Sequence, residues 1–70
     1  MPDSSTYKII EIVGASKTSW EDAVQNAVTT AGKSLTDLRI AEVVKLDATL
    51  EGGKITNYRA RINLSFKYQV

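Results

Sequence analysis

The chain lacks two residue types that most small enzymes and stapled domains use, since its 70 residues include no cysteine and no histidine. Without cysteine, neither a disulfide nor a thiolate metal site can supplement the small core that a chain of this length buries. Without both residues, the usual proton shuttle and the usual thiolate nucleophile are missing, and no nucleophile elbow or phosphate loop is present. We therefore predict a protein that is not an enzyme, with oligomerisation as its source of extra stability.

Net charge, proline and long apolar runs are also scarce. The formal charge is +1 at pH 7, which gives no electrostatic signature of a nucleic-acid-binding protein. No apolar stretch approaches the roughly 20 residues of a membrane span, and no signal-peptide pattern opens the chain. We expect a cytoplasmic protein that has neither nucleic acid nor a membrane as its partner.

The first part of the chain predicts a tail followed by a strand. Residues 1–6 are polar, contain the only proline and are predicted to be a flexible tail, which leaves 7–70 as a single domain. Residues 7–13 are rich in β-branched residues and have apolar side chains on both faces at Ile9, Ile10, Ile12 and Val13, a pattern typical of a central strand. Residues 14–18 are predicted to form a turn.

A helix and a long hairpin fill the rest of the domain. Residues 20–33 carry apolar side chains at spacings of three and four after Ser19 as N-cap, which indicates an amphipathic helix. Residues 39–50 and 54–70 flank a Gly-Gly turn, and from position 57 to 70 the second arm alternates strictly between polar and apolar residues. The arms extend for about 40 Å, whereas the helix covers roughly 20 Å. The hairpin outruns its cover, so we expect other copies of the chain to cover the remainder.

Three segments, taken in order over nearly the whole chain, resemble the dodecin family: YKIIEIVGAS, SWEDAVQNAV and LTDLRIAEVVKLDATLEGGKITNYRARINLSF. The resemblance implies an α+β fold of order β-α-β-β, in which a three-stranded antiparallel sheet wraps around one helix. It also implies a homo-dodecameric hollow cage whose neighbouring subunits cover the hairpin. The partner of the chain is therefore expected to be the chain itself.

The flavin site of the family is altered at two positions of this sequence. In flavin-binding members a tryptophan at the start of the second strand stacks on the flavin, and Ile40 stands at that position here. A glutamine after the tyrosine of the third strand contacts the ring edge, and Arg59 replaces it. The resemblance implies that riboflavin or FMN binds weakly or not at all, and it places the chain near the subgroup that includes a calcium dodecin. Trp20 opens the apolar stripe of the helix, away from that position, and is predicted to pack rather than to stack on a ligand.

Charged residues complete the degenerate cleft that the resemblance implies. Arg59 and Arg61 share the polar face of the third strand, where they either form cross-strand pairs on a solvated surface or bind an anion such as a nucleotide phosphate. The predicted cleft residues are Ile40, Glu42, Lys45, Arg59 and Arg61.

Glu42 is expected to need a partner. It falls in one row with Ile40, Val44 and Leu46, so that an acid interrupts an apolar series. We predict that Glu42 holds Arg59, either of its own chain or of a neighbouring one, although a bound cation is an alternative.

Two classes of function follow from the sequence. The first is a cage that binds or stores a small ligand or an ion, with flavin storage as one alternative. The second is a structural assembly without a dedicated ligand. Calcium requires six to eight oxygen ligands, and the acidic residues are scattered along the chain, so a calcium site is expected only where symmetry brings several copies together. The sequence does not assign its ligands.

Overall fold

The last strand of the chain lies in the middle of the sheet. The computed structural model describes residues 5–68 and contains four elements in the predicted order. Strand β1 spans Thr6–Ser16, helix α1 spans Trp20–Ala31, strand β2 spans Leu38–Glu51 and strand β3 spans Lys54–Tyr68. All strand pairs are antiparallel, and the order across the sheet is β1-β3-β2. The α+β fold predicted from the sequence is therefore confirmed.

The prediction of β1 as a central strand was wrong, because β3 occupies the centre and β1 lies at an edge. The apolar residues that suggested two buried faces include Ile9 and Val13, whose side chains are 61% and 50% exposed. β1 is also longer than predicted, since its pairing with β3 continues to Ser16 and shortens the turn predicted over 14–18. Thr6, assigned to the tail, already pairs with Tyr68, whereas residues 1–4 lie outside the described part of the chain.

Helix α1 begins with hydrogen bonds that fix it to the end of β1. Ser19 is the N-cap, and its Oγ accepts a hydrogen bond from the backbone N–H of Asp22 at 3.0 Å. The carboxylate of Asp22 accepts another from Ser16 Oγ at 2.7 Å. The helix has 12 residues and ends two residues before the predicted position 33. Within residues 5–68 no helix has the length and apolar character needed to cross a membrane.

The core lies between α1 and one side of β3. Because successive residues of a strand point to opposite sides, the alternation of β3 defines two faces of the sheet. We call the side packed against α1 the inner face and the opposite side the outer face. Buried residues of the core are Ala23, Ala27, Ala60, Ile62 and Leu64. Gly14 permits the close approach of β1 and α1, because a Cβ at this position would overlap the carbonyl oxygen of Ala23.

The hairpin extends beyond the cover of the helix, as the sequence predicted. The described chain measures 51 × 21 × 17 Å. On the inner face of β2, Val43 and Leu46 lie opposite the buried Ile62 and Ala60, yet each is 48% exposed. Near the hairpin turn Leu50 is 67% exposed. One chain thus leaves much of the apolar surface of β2 in contact with solvent.

An irregularity in β2 changes which of its residues face outwards. Ile40 and Glu42 lie opposite Ser65 and Asn63 on the outer face, but the register shifts between Val43 and Lys45. Beyond that shift Leu46 lies opposite Ala60 and belongs to the inner face. The prediction that Leu46 shares a face with Glu42 was therefore wrong, because one extra residue in β2 between them reverses the alternation of its side chains.

Candidate functional site

The outer face of the sheet carries all five residues predicted for the degenerate cleft. Residues directly opposite one another in antiparallel strands point to the same side, so β1, β3 and β2 together form transverse rungs. The rungs are Ile9–Ser65–Ile40 (apolar rung), Glu11–Asn63–Glu42 (acidic rung), Val13–Arg61–Lys45 (basic rung) and Ala15–Arg59–Asp47 (ion-pair rung). The outer face is therefore ordered by charge along the direction of the strands.

In the ion-pair rung Arg59 is held by Asp47 of the same chain. Arg59 Nε donates to Asp47 Oδ1 at 2.8 Å, and Arg59 Nη2 donates to Asp47 Oδ2 at 2.9 Å, which is the two-bond geometry of strong arginine–carboxylate pairs. The hydrogen bond from Arg59 lowers the pKa of Asp47, and the positive charges of Arg61 and Lys45 act in the same direction. The same hydrogen bond raises the pKa of Arg59.

This pairing corrects the prediction that Glu42 of the same chain holds Arg59. Glu42 lies opposite Asn63, two rungs from Arg59, whereas Asp47 lies directly opposite Arg59. Asp47 was not among the predicted site residues. The signal in the sequence was that Asp47 alternates with Lys45 on one strand face, as Arg59 does with Arg61, but the register that joins them could not be derived from that alternation.

The basic rung places two cations opposite each other. Lys45 and Arg61 are cross-strand partners, both side chains are exposed, and neither forms an ion pair with another described residue. Like charges directly opposite in a sheet are destabilising. Anion binding was one of the two roles predicted for Arg59 and Arg61. Because Arg59 is already paired with Asp47, the side chains on this face that could take that role are Arg61 and Lys45.

The acidic rung presents the opposite charge one step away. Glu11 and Glu42 flank Asn63 on either side, and both glutamates are exposed. Asn63 Nδ2 donates to Glu42 Oε1 at 3.5 Å, which is at the outer limit for a hydrogen bond. The carboxylates therefore keep most of their capacity to accept hydrogen bonds or to meet a positive charge.

Ile40 lies at the far end of the outer face from Arg59. It is 64% exposed, and with Tyr7, Arg39 and Ser65 it lines an open pocket of about 390 Å³. Ile40 lies opposite Ser65, and the separation from Ser65 to Arg59 along β3 is roughly 20 Å at ~3.3 Å per residue. The two altered flavin positions therefore share one face of the chain but do not form one cleft within it.

Trp20 joins the start of the helix to the hairpin, as expected of a packing residue. Its Nε1 donates to the backbone oxygen of Asp47 at 2.9 Å, and its ring packs edge-on against Tyr58 at 4.9 Å between centroids. Both Trp20 and Arg59 thus contact Asp47, one at the main chain and the other at the side chain.

No other described feature marks a ligand site in one chain. Within residues 5–68 no group of three or more acidic, histidine or cysteine side chains is arranged to hold a metal ion. No buried side-chain nitrogen or oxygen of these residues lacks a hydrogen-bond partner. A groove of about 690 Å³ lies between β1 and α1, lined by residues that include Ile10, Ile12, Ala27 and Ala31, and it does not include any of the predicted cleft residues.

Comparison with known proteins identifies the fold as a whole. A family model described as Dodecin matches residues 6–69. The chain belongs to the dodecin family. A calcium dodecin from Mycobacterium tuberculosis is 47% identical over 64 residues, which cover 90% of this dodecin and 89% of the relative. The resemblance seen in the three sequence segments is thereby confirmed.

Solved dodecin structures match the architecture over nearly its full length. Dodecin from Streptomyces coelicolor aligns with a TM-score of 0.92 at 30% identity, covering 99% of both chains. A calcium-chelating calcium dodecin from Mycobacterium tuberculosis aligns with a TM-score of 0.82 at 40% identity, covering 93% of both chains. This dodecin therefore shares the β-α-β-β fold of its relatives, including one whose known ligand is calcium.

Proposed function

We propose that this dodecin assembles as a homo-dodecameric cage that binds and stores an ion or a small ligand and does not catalyse a reaction. Family membership supports the assembly, and so does the apolar surface that a single chain leaves exposed on β2. Apolar surface of this extent in a chain of 70 residues is typical of an interface. A cytoplasmic location stays a prediction from the sequence.

Calcium is the ligand that we propose first. The observation that supports it is the 47% identity with a calcium dodecin over 64 residues. Because a calcium ion takes six to eight oxygen ligands and no suitable cluster exists within residues 5–68 of one chain, the site would draw its ligands from more than one subunit. Calcium binding would then be coupled to assembly and would stabilise the particle over its separated chains.

The test is calorimetric titration of calcium into chelator-treated particles, with magnesium as the matched control. We expect saturable calcium binding, a higher melting temperature with calcium than with magnesium, and release of the ion when the particle dissociates. Binding to the particle with no effect on its dissociation would contradict a site shared between subunits. If neither ion binds, the structural assembly without a dedicated ligand becomes the better account.

We further propose that flavin binding is weak or absent. Ile40 offers no aromatic face to a flavin ring, and stacking of that kind is worth about 1–3 kcal/mol per ring. The guanidinium of Arg59 is paired with Asp47 and can only donate hydrogen bonds, so it does not reproduce the donor and the acceptor of the amide that contacts the ring edge in flavin-binding members.

Riboflavin fluorescence quenching separates this proposal from a flavin storage function. We expect no saturation at nanomolar flavin with the natural sequence. The double change Ile40→Trp with Arg59→Gln should increase affinity more than the single changes combined, because the two new side chains, contributed by different subunits, would touch the same ring. Tight binding by the unchanged protein would establish flavin storage instead.

A further inference from the structure

Charges of both signs alternate along the outer face and cancel over three neighbouring rungs. The acidic rung contributes two carboxylates, the basic rung two cations, and the ion-pair rung one of each. The side chains are those of Glu11, Glu42, Lys45, Arg61, Arg59 and Asp47. Neighbouring rungs are about 7 Å apart at ~3.3 Å per residue, so solvent ions screen these charges from one another only in part. The basic rung therefore has carboxylates on both of its sides.

Asp47 is the carboxylate of this set that is held in place most firmly. Its side chain accepts hydrogen bonds from Arg59 Nε at 2.8 Å and from Arg59 Nη2 at 2.9 Å. Its backbone oxygen accepts a third from Trp20 Nε1 at 2.9 Å. Glu42, by contrast, accepts one bond from Asn63 at 3.5 Å. A carboxylate that is fixed at both its main chain and its side chain moves aside for a competing anion less readily than one on a free side chain.

Three cations surround the carboxylate of Asp47. Arg59 binds it directly, and the positive charges of Arg61 and Lys45 also lower its pKa. Lys45 precedes Asp47 by two residues on β2, and Arg61 follows Arg59 by two on β3, so all four side chains leave the same face of the sheet. The two donors that Arg59 offers to Asp47 are those with which arginine binds two oxygens of a phosphate group.

We propose that Asp47 determines the ligand selectivity of the outer face, because it occupies a site formed by Arg59, Arg61 and Lys45 and thereby excludes phosphate groups. The inference deepens the proposed function, since it names phosphate monoesters as a ligand class that the natural chain rejects, and it rests on the ligand-binding role proposed for this protein. With Asp47 present, the three rungs are electrically balanced, and a dianion gains little there. Without Asp47, three neighbouring cations share one face and the donors of Arg59 are free.

Titration of inorganic phosphate into the natural particle and into Asp47→Asn tests this directly. We expect no saturable binding below about 1 mM by the natural chain and a dissociation constant at least roughly tenfold lower for the variant. The gain should shrink as sodium chloride is added, because the site is exposed and salt screens it. The side chains of Arg59 and Asp47 are 42% and 45% exposed, so the variant should fold and assemble, which circular dichroism and light scattering check. Asp47→Thr, a second uncharged replacement that suits a strand, should give the same result.

Three control variants separate the role of Asp47 from a change in charge alone. Glu42→Gln is the matched control, since it removes one negative charge from the same face and leaves Arg59 paired. We expect its gain in phosphate affinity to be well below that of Asp47→Asn. Adding Arg59→Gln to Asp47→Asn removes the freed donors and should abolish most of the gain. Glu51→Gln lies at the hairpin turn outside the rungs and should leave phosphate binding unchanged.

Three outcomes would overturn the inference. Equal phosphate affinity of the natural chain and of folded, assembled Asp47→Asn would show that Asp47 does not exclude the anion. Equal gains for Glu42→Gln and Asp47→Asn would show that the net charge of the face decides, and not the position of Asp47. A gain that survives the addition of Arg59→Gln would place the bound phosphate away from Arg59.

Riboflavin separates this inference from the proposed function, because it has the flavin ring but no phosphate group. Tight riboflavin binding by the natural chain would refute the proposed weakness of flavin binding and leave the exclusion of phosphate untouched. Phosphate binding by the natural chain as tight as by Asp47→Asn, with no binding of riboflavin, would refute this inference alone.

Discussion

The two faces of β3 differ in what completes them. On the inner face Ala60, Ile62 and Leu64 are at most 1% exposed, and the helix of the same chain covers them. On the outer face Arg61 and Asn63 stand among rungs of unpaired charge and exposed isoleucine. The comparison teaches that one chain of this dodecin completes its core but leaves the outer face of its sheet exposed.

β2 shows the same difference within a single strand pair. Val43 and Leu46 belong to the inner face, yet α1 leaves each of them 48% exposed. The covered part of the inner face should therefore govern folding, and its uncovered part should govern assembly. Substitutions at matched positions can separate these two roles.

The largest contrast is expected between Ile62→Ala and Leu46→Ala. Ile62 is fully buried, so its truncation leaves a cavity in the core and should cost roughly 2–5 kcal/mol, enough to unfold a small domain. Leu46→Ala should leave the secondary structure by circular dichroism intact and shift the particle towards smaller species by light scattering. If Leu46→Ala has no effect on particle size, no neighbouring subunit covers that part of β2.

A second contrast concerns the closest contact between β1 and α1. Gly14→Ala places a Cβ against the backbone of Ala23 and should cost at least about 1–3 kcal/mol by overpacking, because the backbone cannot move aside as a side chain would. Gly32→Ala is the matched control, since φ at this residue is −64° and no backbone strain results. Denaturant unfolding of the two variants measures the difference, and equal stability would contradict the tight packing of β1 on α1.

Much of the fold was predictable because strand alternation and helix spacing are local properties. The helix start at Trp20 and the hairpin turn at Gly52 and Gly53 were both predicted, and both glycines have positive φ, at 60° and 78°. The position of β3 at the centre was not predictable from residues, since alternation does not reveal which strands are neighbours. The exposed Ile9 and Val13 even favoured the wrong assignment, because apolar residues give the same sequence pattern whether they are exposed or buried.

The arrangement of the site was less predictable, because it depends on two irregularities in the hairpin. Counting back from the Glu51–Lys54 pair without interruption would place Arg59 opposite Leu46. The register shift between Thr49 and Leu50 brings Arg59 opposite Asp47 instead, and the shift between Val43 and Lys45 then restores the original count. Neither shift leaves a clear signal in the sequence. The sequence therefore predicted Glu42 as the partner of Arg59, whereas the partner within the chain is Asp47.

The smallest effect is expected at the ion pair between Arg59 and Asp47, which lies on the exposed outer face of the sheet. The folded chain lowers the pKa of Asp47, so the pair stabilises the fold above the unfolded pKa, near 4, and this contribution is lost as the pH falls through the lower folded pKa. Both side chains are nearly half exposed, at 42% and 45%, so solvent weakens the effect. Asp47→Asn should remove a small part of the acid-induced loss of thermal stability.

A melting-temperature profile from pH 6 downwards, with the natural chain and Asp47→Asn compared at each step, measures this contribution. Profiles of identical shape would show that the pair contributes nothing to stability. A loss of assembly by Asp47→Asn at neutral pH would show instead that the ion-pair rung contributes to assembly.

The mass of the particle in solution tests most directly whether other copies complete what one chain leaves open. We expect native mass spectrometry at micromolar concentration to give about twelve times the 7.7 kDa chain mass, with no substantial population of free chains. A stable, folded monomer at that concentration would contradict the account, because the exposed inner surface of β2 and the charged rungs of the outer face would then be complete without a partner.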